Sequence, residues 1–142
     1  MHDMVWNSFA FYGGVVVAKT ILMSPITAFQ RIRTKTFANA EDAAGFSTTP
    51  QTHDAVERVR RAHQNDLENI IPFFCLGLLY CHTDPSLEMA KWHFRIFAAS
   101  RIWHTIAYLS SSSARGPLGF LPGLIVNISM AYQVIIHFKD AL

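Results

Sequence analysis

The stretch 118-LGFLPGLIVNISMAYQVIIHF-138 runs for 21 residues without an Asp, Glu, Lys or Arg, and its one histidine, His137, lies next to its end. As a helix it rises about 30 Å, the thickness of bilayer hydrocarbon. Near the other end of the chain, 9-FAFYGGVVVAKTILMSPITAF-29 has the same length and a single charge, Lys19. A water-soluble four-helix bundle would need a polar outer face at 3.6-residue spacing on every helix. These two stretches offer almost none. Between them lie two less pure segments. Ile70 to Cys81 is apolar, with Pro72 near its start, and its helical pattern runs back to about Val56. Trp92 to Leu109 is apolar but interrupted by Arg95, Arg101 and His104.

The sequence therefore predicts an all-α fold, a four-transmembrane-helix bundle forming one integral membrane domain over residues 1–142. Its spans cover about 9–33, 57–82, 90–109 and 118–139, and a cytosolic loop covers 34–56. Composition agrees. Hydrophobic residues make up 51% and charged ones 15%, against roughly 25% in soluble domains. A net charge of +2, with no basic stripe interleaved with aromatics, argues against nucleic acid as a partner.

Charge orients the bundle. Arg31, Arg33, Lys35, Arg58, Arg60 and Arg61 lie between the first two spans, whereas the turn HTDPSLEMAK has only Lys91. The positive-inside rule places residues 31–61 in the cytosol and both chain ends across the membrane. MHDMVWNSF carries no basic region or small-residue cleavage site, so the first span is expected to stay attached as an anchor. Arg31, residues 57–69, residues 101–108 and Arg115 then share one membrane level.

The run 57-ERVRRAHQNDLEN-69 holds three arginines, three acids, a histidine and the amides Gln64, Asn65 and Asn69. On a helix Arg61, Gln64, Asn65 and Glu68 fall at i, i+3, i+4 and i+7, one face, while Arg60, His63 and Leu67 lie on another. Arg101, His104 and Tyr108 form a second stripe. Part of this set has structural work to do. Arg58 and Arg60 suit headgroup anchoring, Arg101 suits a pairing with Asp66, and Lys19 can snorkel or join that pair. The remainder suits a ligand. Guanidinium groups bind carboxylates bidentately, a buried carboxylate, expected at Glu68, binds an ammonium, and Asn, Gln, His and Tyr bind amides. Glutathione, with two carboxylates, an ammonium, two amides and a thiol, fits that mixture. The histidines lack metal-ligand spacing, so no metal is expected. Cys75 and Cys81, six residues apart, point in different directions on a helix and read as two buried, inert thiols without a disulfide.

The motifs VERVRRAHQNDLENIIPF (56–73), FANAEDA (37–43), HFRIFAASRIWHTIAYL (93–109) and SMAY (129–132) resemble, in order and spacing, the membrane-associated proteins in eicosanoid and glutathione metabolism. The resemblance spans about Lys19 to Tyr132. It implies a homotrimer in the endoplasmic reticulum membrane, and also in the mitochondrial outer membrane, with glutathione bound between subunits near the cytosolic face. Carried over by motif, the glutathione residues are Arg31, Arg61, Gln64, Asn65, Glu68, His104, Tyr108 and Arg115. Gln64 stands where relatives have arginine. Arg115 is matched by its RG context in a turn, LSSSSARGP, two residues shorter than in relatives.

Arg115, helped by Tyr108 or a serine hydroxyl of residues 110–113, is the expected thiolate-stabilising group. The resemblance implies a glutathione transferase acting on a lipophilic electrophile or lipid hydroperoxide that enters from the lipid bilayer. The rival is a prostaglandin E synthase isomerising a prostaglandin endoperoxide, in which Asp42 stands where an aspartate is proposed for proton transfer. A third reading is a non-enzymatic membrane scaffold. The resemblance is stronger to the family's transferases, although their reactive cysteine is Ala43 here; Gly116, where synthases have serine, leans the same way.

Overall fold

The computed structural model describes residues 2–141. Five α-helices carry the described residues: α1 His2–Thr34, α2 Ala40–Gly45, α3 Asp54–Cys81, α4 Leu87–Leu109 and α5 Leu121–Phe138. A 3-10 turn, Ser113–Arg115, and a wide π-type turn, Gly116–Phe120, join α4 to α5. There is no strand among the described residues.

The long helices pack as an antiparallel bundle with α3 and α4 in the middle. Helix α1 packs on α3 and α4, and α5 packs on the same two. Among the described residues the backbones of α1 and α5 do not approach one another, so the two helices flank the central pair. Aromatic side chains fill the centre. Phe73 and Phe97 stack with centroids 3.9 Å apart, and Phe9 of α1 wedges against Phe73, Phe74 and Phe94. Gly77 makes that wedge possible, since a Cβ there would lie 2.3 Å from the Phe9 ring. Helix α1 consequently starts at His2, earlier than the span expected from about residue 9. Val5 and Phe9 are buried, which ties the first turns to the bundle.

Two helical segments are long and apolar enough to cross a membrane, residues 3–34 and 113–138. Only 22% and 28% of their apolar windows are buried in the chain, unlike the core helices of a soluble protein. Phe11, Ile21, Tyr132 and Ile135 are each at least 64% exposed, a surface suited to lipid or to another subunit. Helices α3 and α4 do not meet the same test, because their charges lower the mean hydropathy.

The thiol reading needs correction. Cys81 is buried but Cys75 is exposed, because six residues turn the helix by about 240° and carry Cys75 off the core face. Both are free.

Candidate functional site

The polar half of α3 presents three sectors. Val59, Ala62, Asp66 and Asn69 turn inward and are buried. Arg61, Gln64 and Glu68 turn away from the bundle and are exposed. Arg60 and His63 face α1 and α2. The helix begins cleanly, because His53 Nδ1 accepts from the Ala55 amide at 3.1 Å. In its first turns Asp54 accepts from Arg58 at 2.8 Å and from Arg61 at 3.0 Å, and Arg60 pairs with Glu57 at 2.8 Å. These two arginines hold the exposed Asp54 carboxyl below the usual carboxylate range. Such solvated pairs add little stability, but they decide where the guanidinium groups rest.

Beneath that surface lies a charged core. Asp66 of α3, Arg101 of α4 and Lys19 of α1 meet inside the bundle, and Asp66 and Arg101 have no exposed side-chain surface. Lys19 donates to Asp66 Oδ2. Arg101 donates to Asp66 Oδ1 through Nη2 at 2.7 Å and Nε at 3.2 Å. The expected Asp66–Arg101 pairing is present, and Lys19 joins it. Arg101 Nη2 also reaches Asn65 Oδ1 at 2.9 Å and His104 Nδ1 at 3.1 Å.

One turn further along α4, the His104 and Tyr108 rings lie 5.4 Å apart. The Arg115 guanidinium sits 5.1 Å from the Tyr108 ring centroid, and its Nη1 donates to the Ser112 carbonyl at 3.0 Å. Arg61 lies within electrostatic reach of the Tyr108 hydroxyl. Backbone fit fixes this corner. A Cβ on Gly119 would come within 2.8 Å of His104 Cα, so the π-type turn rests directly on α4 and aims Arg115 back over Tyr108. Ser111 sits in the left-handed region, at φ 61°, and Ser112 caps the short 3-10 turn.

Six of the expected residues therefore gather on one side: Arg61, Asn65, Glu68, His104, Tyr108 and Arg115. Gln64 joins them by donating to Glu68 Oε1 at 3.3 Å. His104 is only 3% exposed, so it supports the surface more than it forms it. Arg31 and Asp42 do not join this group within one chain. They line a separate recess of about 490 Å³ with Thr27, Phe37, Arg60 and His63. The polar groups expected to converge do not form one cluster within the chain, because Arg60 and Arg61 lie 100° apart on α3. Asp54 as the partner of Arg61, and Asn65 as a partner of Arg101, went unrecognised in the sequence. The i, i+4, i+7 spacing of Asp54, Arg58 and Arg61 was the available signal. Among the described residues no three His, Cys, Asp or Glu side chains group to hold a metal.

Residues 9–136 match the MAPEG family. The chain is 48% identical to microsomal glutathione S-transferase 1 of Mus musculus, over 95% of this chain and 92% of that protein. It is 46% identical to microsomal glutathione S-transferase 1 of Homo sapiens, with the same two coverages. The prostaglandin E synthase of Bos taurus is 36% identical, over 95% of this chain and 90% of its own length. A family match across most of the chain, on an all-helical fold with two apolar helices fit to cross a bilayer, identifies the protein as a membrane protein that belongs to the MAPEG family.

Proposed function

We propose that this protein is a glutathione-dependent membrane transferase that conjugates glutathione to lipophilic electrophiles or uses it to reduce lipid hydroperoxides. The observation that carries the reading is the single surface formed by Arg61, Asn65, Glu68, Tyr108 and Arg115. Arg61 suits a carboxylate, Glu68 an ammonium, and Asn65 an amide or carboxylate oxygen. Arg115, braced on Tyr108, offers a cation to a sulfur held beside it and stabilises the thiolate over the thiol. With a halonitrobenzene as acceptor, the C–S bond forms, the halide leaves, and the thiol proton passes to water. The identity to microsomal glutathione S-transferases supports the same reading.

The site is composite in this reading. Arg31 and Asp42 lie in a recess on another face of the chain, where a neighbouring subunit would draw on them. A homotrimer in which one subunit's Arg31 faces another's Arg61–Glu68 surface supplies the missing guanidinium. All four long helices cross the membrane as one domain over residues 1–142, with loop 34–56 cytosolic and both ends lumenal. Pairing of Lys19, Asp66 and Arg101 lowers the cost of charges within spans. The membrane is that of the endoplasmic reticulum, with the mitochondrial outer membrane a second location.

A second reading, isomerisation of a prostaglandin endoperoxide with glutathione unconsumed, draws on the 36% identity to the prostaglandin E synthase of Bos taurus; Asp42, in the recess with Arg31, suits either reading. Product analysis separates the two. Purified protein with glutathione is given a halonitrobenzene in one reaction and a prostaglandin endoperoxide in another. A thioether in the first, without prostaglandin E in the second, supports the transferase; the reverse pattern supports the isomerase. Absence of glutathione binding would leave a non-enzymatic scaffold.

A further inference from the structure

Arg101 has no exposed surface, yet its Nη2 touches two side chains of the proposed glutathione site. A guanidinium has only donors, so every atom facing it must accept. That constraint orients both neighbours. Asn65 must turn Oδ1 toward Arg101, which leaves its NH2 group directed away. His104 must present an unprotonated Nδ1, which places its proton on Nε2, on the other edge of the ring. Asn and His can each donate or accept, and Arg101 removes the choice. Asn65 is half-buried and borders the Arg61–Glu68 face, so its free NH2 lies at the ligand's side of the helix.

The geometry explains why Nη2 is available. Lys19 occupies Asp66 Oδ2, so Arg101 uses Oδ1 for both Nε and Nη2. This brings Nη2 to the edge shared with Asn65 and His104, where its two hydrogens serve three acceptors. A simple tie between α3 and α4 would need only the Asp66–Arg101 pair. The Asn65 and His104 contacts are additional.

We propose that Arg101 is a positioning residue that sets the hydrogen-bond polarity of the site, forcing Asn65 to show an amide donor to the ligand and His104 to carry its proton on Nε2. With Arg61 and Arg115 the site then presents mainly N–H groups, with the carboxylate of Glu68 and that of Asp54, paired to Arg61, beside them. Such a surface selects a ligand rich in carboxylate and carbonyl oxygens. The inference rests on the glutathione reading for its ligand, but the tautomer of His104 does not.

The test uses full-length protein in detergent, with nitrogen-15 histidine, assigned by comparison with His104→Gln. In wild type, His104 is expected in the Nε2–H form. Arg101→Lys keeps the charge opposite Asp66 but lacks the planar reach, so the His104 signal should change to a mixture of tautomers. Glutathione affinity should fall by at least about tenfold. Asn65→Asp keeps an inward acceptor for Arg101 while replacing the outward NH2 with an oxygen. It should melt at or above the wild-type temperature and bind glutathione at least about tenfold more weakly. An Nδ1–H tautomer in wild type, an unchanged tautomer in Arg101→Lys, or wild-type binding by Asn65→Asp would each overturn the proposal. Should Arg101→Lys fail to fold, the wild-type tautomer and Asn65→Asp still decide it. If wild type shows the expected tautomer but binds no glutathione, the ligand reading fails while the orienting role of Arg101 stands.

Discussion

Asp66→Asn is the substitution most damaging to the fold that the charged core implies. Asp66 and Arg101 are fully buried, Lys19 keeps 11% of its side-chain surface, and two cations share the one carboxylate. At 2.7 Å and an effective dielectric of about 20, the Arg101–Asp66 attraction alone is about 6 kcal/mol before desolvation is subtracted. Removing the acid leaves both cations uncompensated, and breaking a buried pair from one side costs about 3–5 kcal/mol. At about 2–4 °C per kcal/mol for a chain of this size, the melting temperature should fall by about 6–20 °C. The comparison with Lys19→Met sharpens the argument. That change leaves a balanced Asp66–Arg101 pair, so its cost should stay under about 1.5 kcal/mol. Adding it to Asp66→Asn should recover part of the loss, a coupling that a double-mutant cycle measures. The assay is helix circular dichroism against temperature in one detergent, with all four proteins side by side. If Asp66→Asn melted within about 3 °C of wild type while Lys19→Met was severely destabilised, the carboxylate would not be the centre of the network.

Four other substitutions probe the site and its supports. Arg115→Ala should leave glutathione binding largely intact while turnover and the ultraviolet thiolate absorbance fall together; turnover near wild type would pass the role to Arg61. Glu68→Gln should weaken glutathione binding by about 1–3 kcal/mol, read by titration calorimetry, because the ligand's ammonium loses its carboxylate. Gly119→Ala should destabilise the fold by about 1–3 kcal/mol and lower turnover, since the new Cβ would lie 2.8 Å from His104 Cα and push the turn off α4. Asp54→Asn should tighten glutathione binding at neutral pH by releasing Arg61. Because the Asp54 carboxyl sits below its usual range, its ion pairs are fully present above the ordinary carboxylate range and disappear as pH falls through the lowered value. The affinity difference between Asp54→Asn and wild type should therefore persist at pH 7 and vanish in acid.

Much of the molecule is legible in the chain itself. Twenty-one residues without a formal charge at 118–138 and one lysine in 9–29 define two long apolar helices, because a backbone in hydrocarbon must satisfy its own hydrogen bonds. The 3.6-residue repeat also puts Arg61, Gln64 and Glu68 on one edge of α3, since side-chain direction on one helix follows from sequence position alone, but Glu68, expected buried, is exposed within the chain. Motif order and spacing were enough to identify the family.

Periodicity says nothing, however, about how one helix is rotated against its neighbour, and that rotation decided the rest. It set Asp66 between Lys19 and Arg101 and brought Asn65 and His104 to the same guanidinium nitrogen. It also sent Arg31 and Asp42 to a recess shared with Arg60 rather than to Arg61, although Arg60 and Arg61 are adjacent in sequence. The turn before α5 depended on tertiary contact too. Only the close approach of Gly119 to His104 explains why Arg115, on a short serine-rich turn, lies over Tyr108. Helix identity and facing are local properties of the chain, whereas partner choice depends on distances between helices, which packing of Phe9, Phe73 and Phe97 fixes in three dimensions.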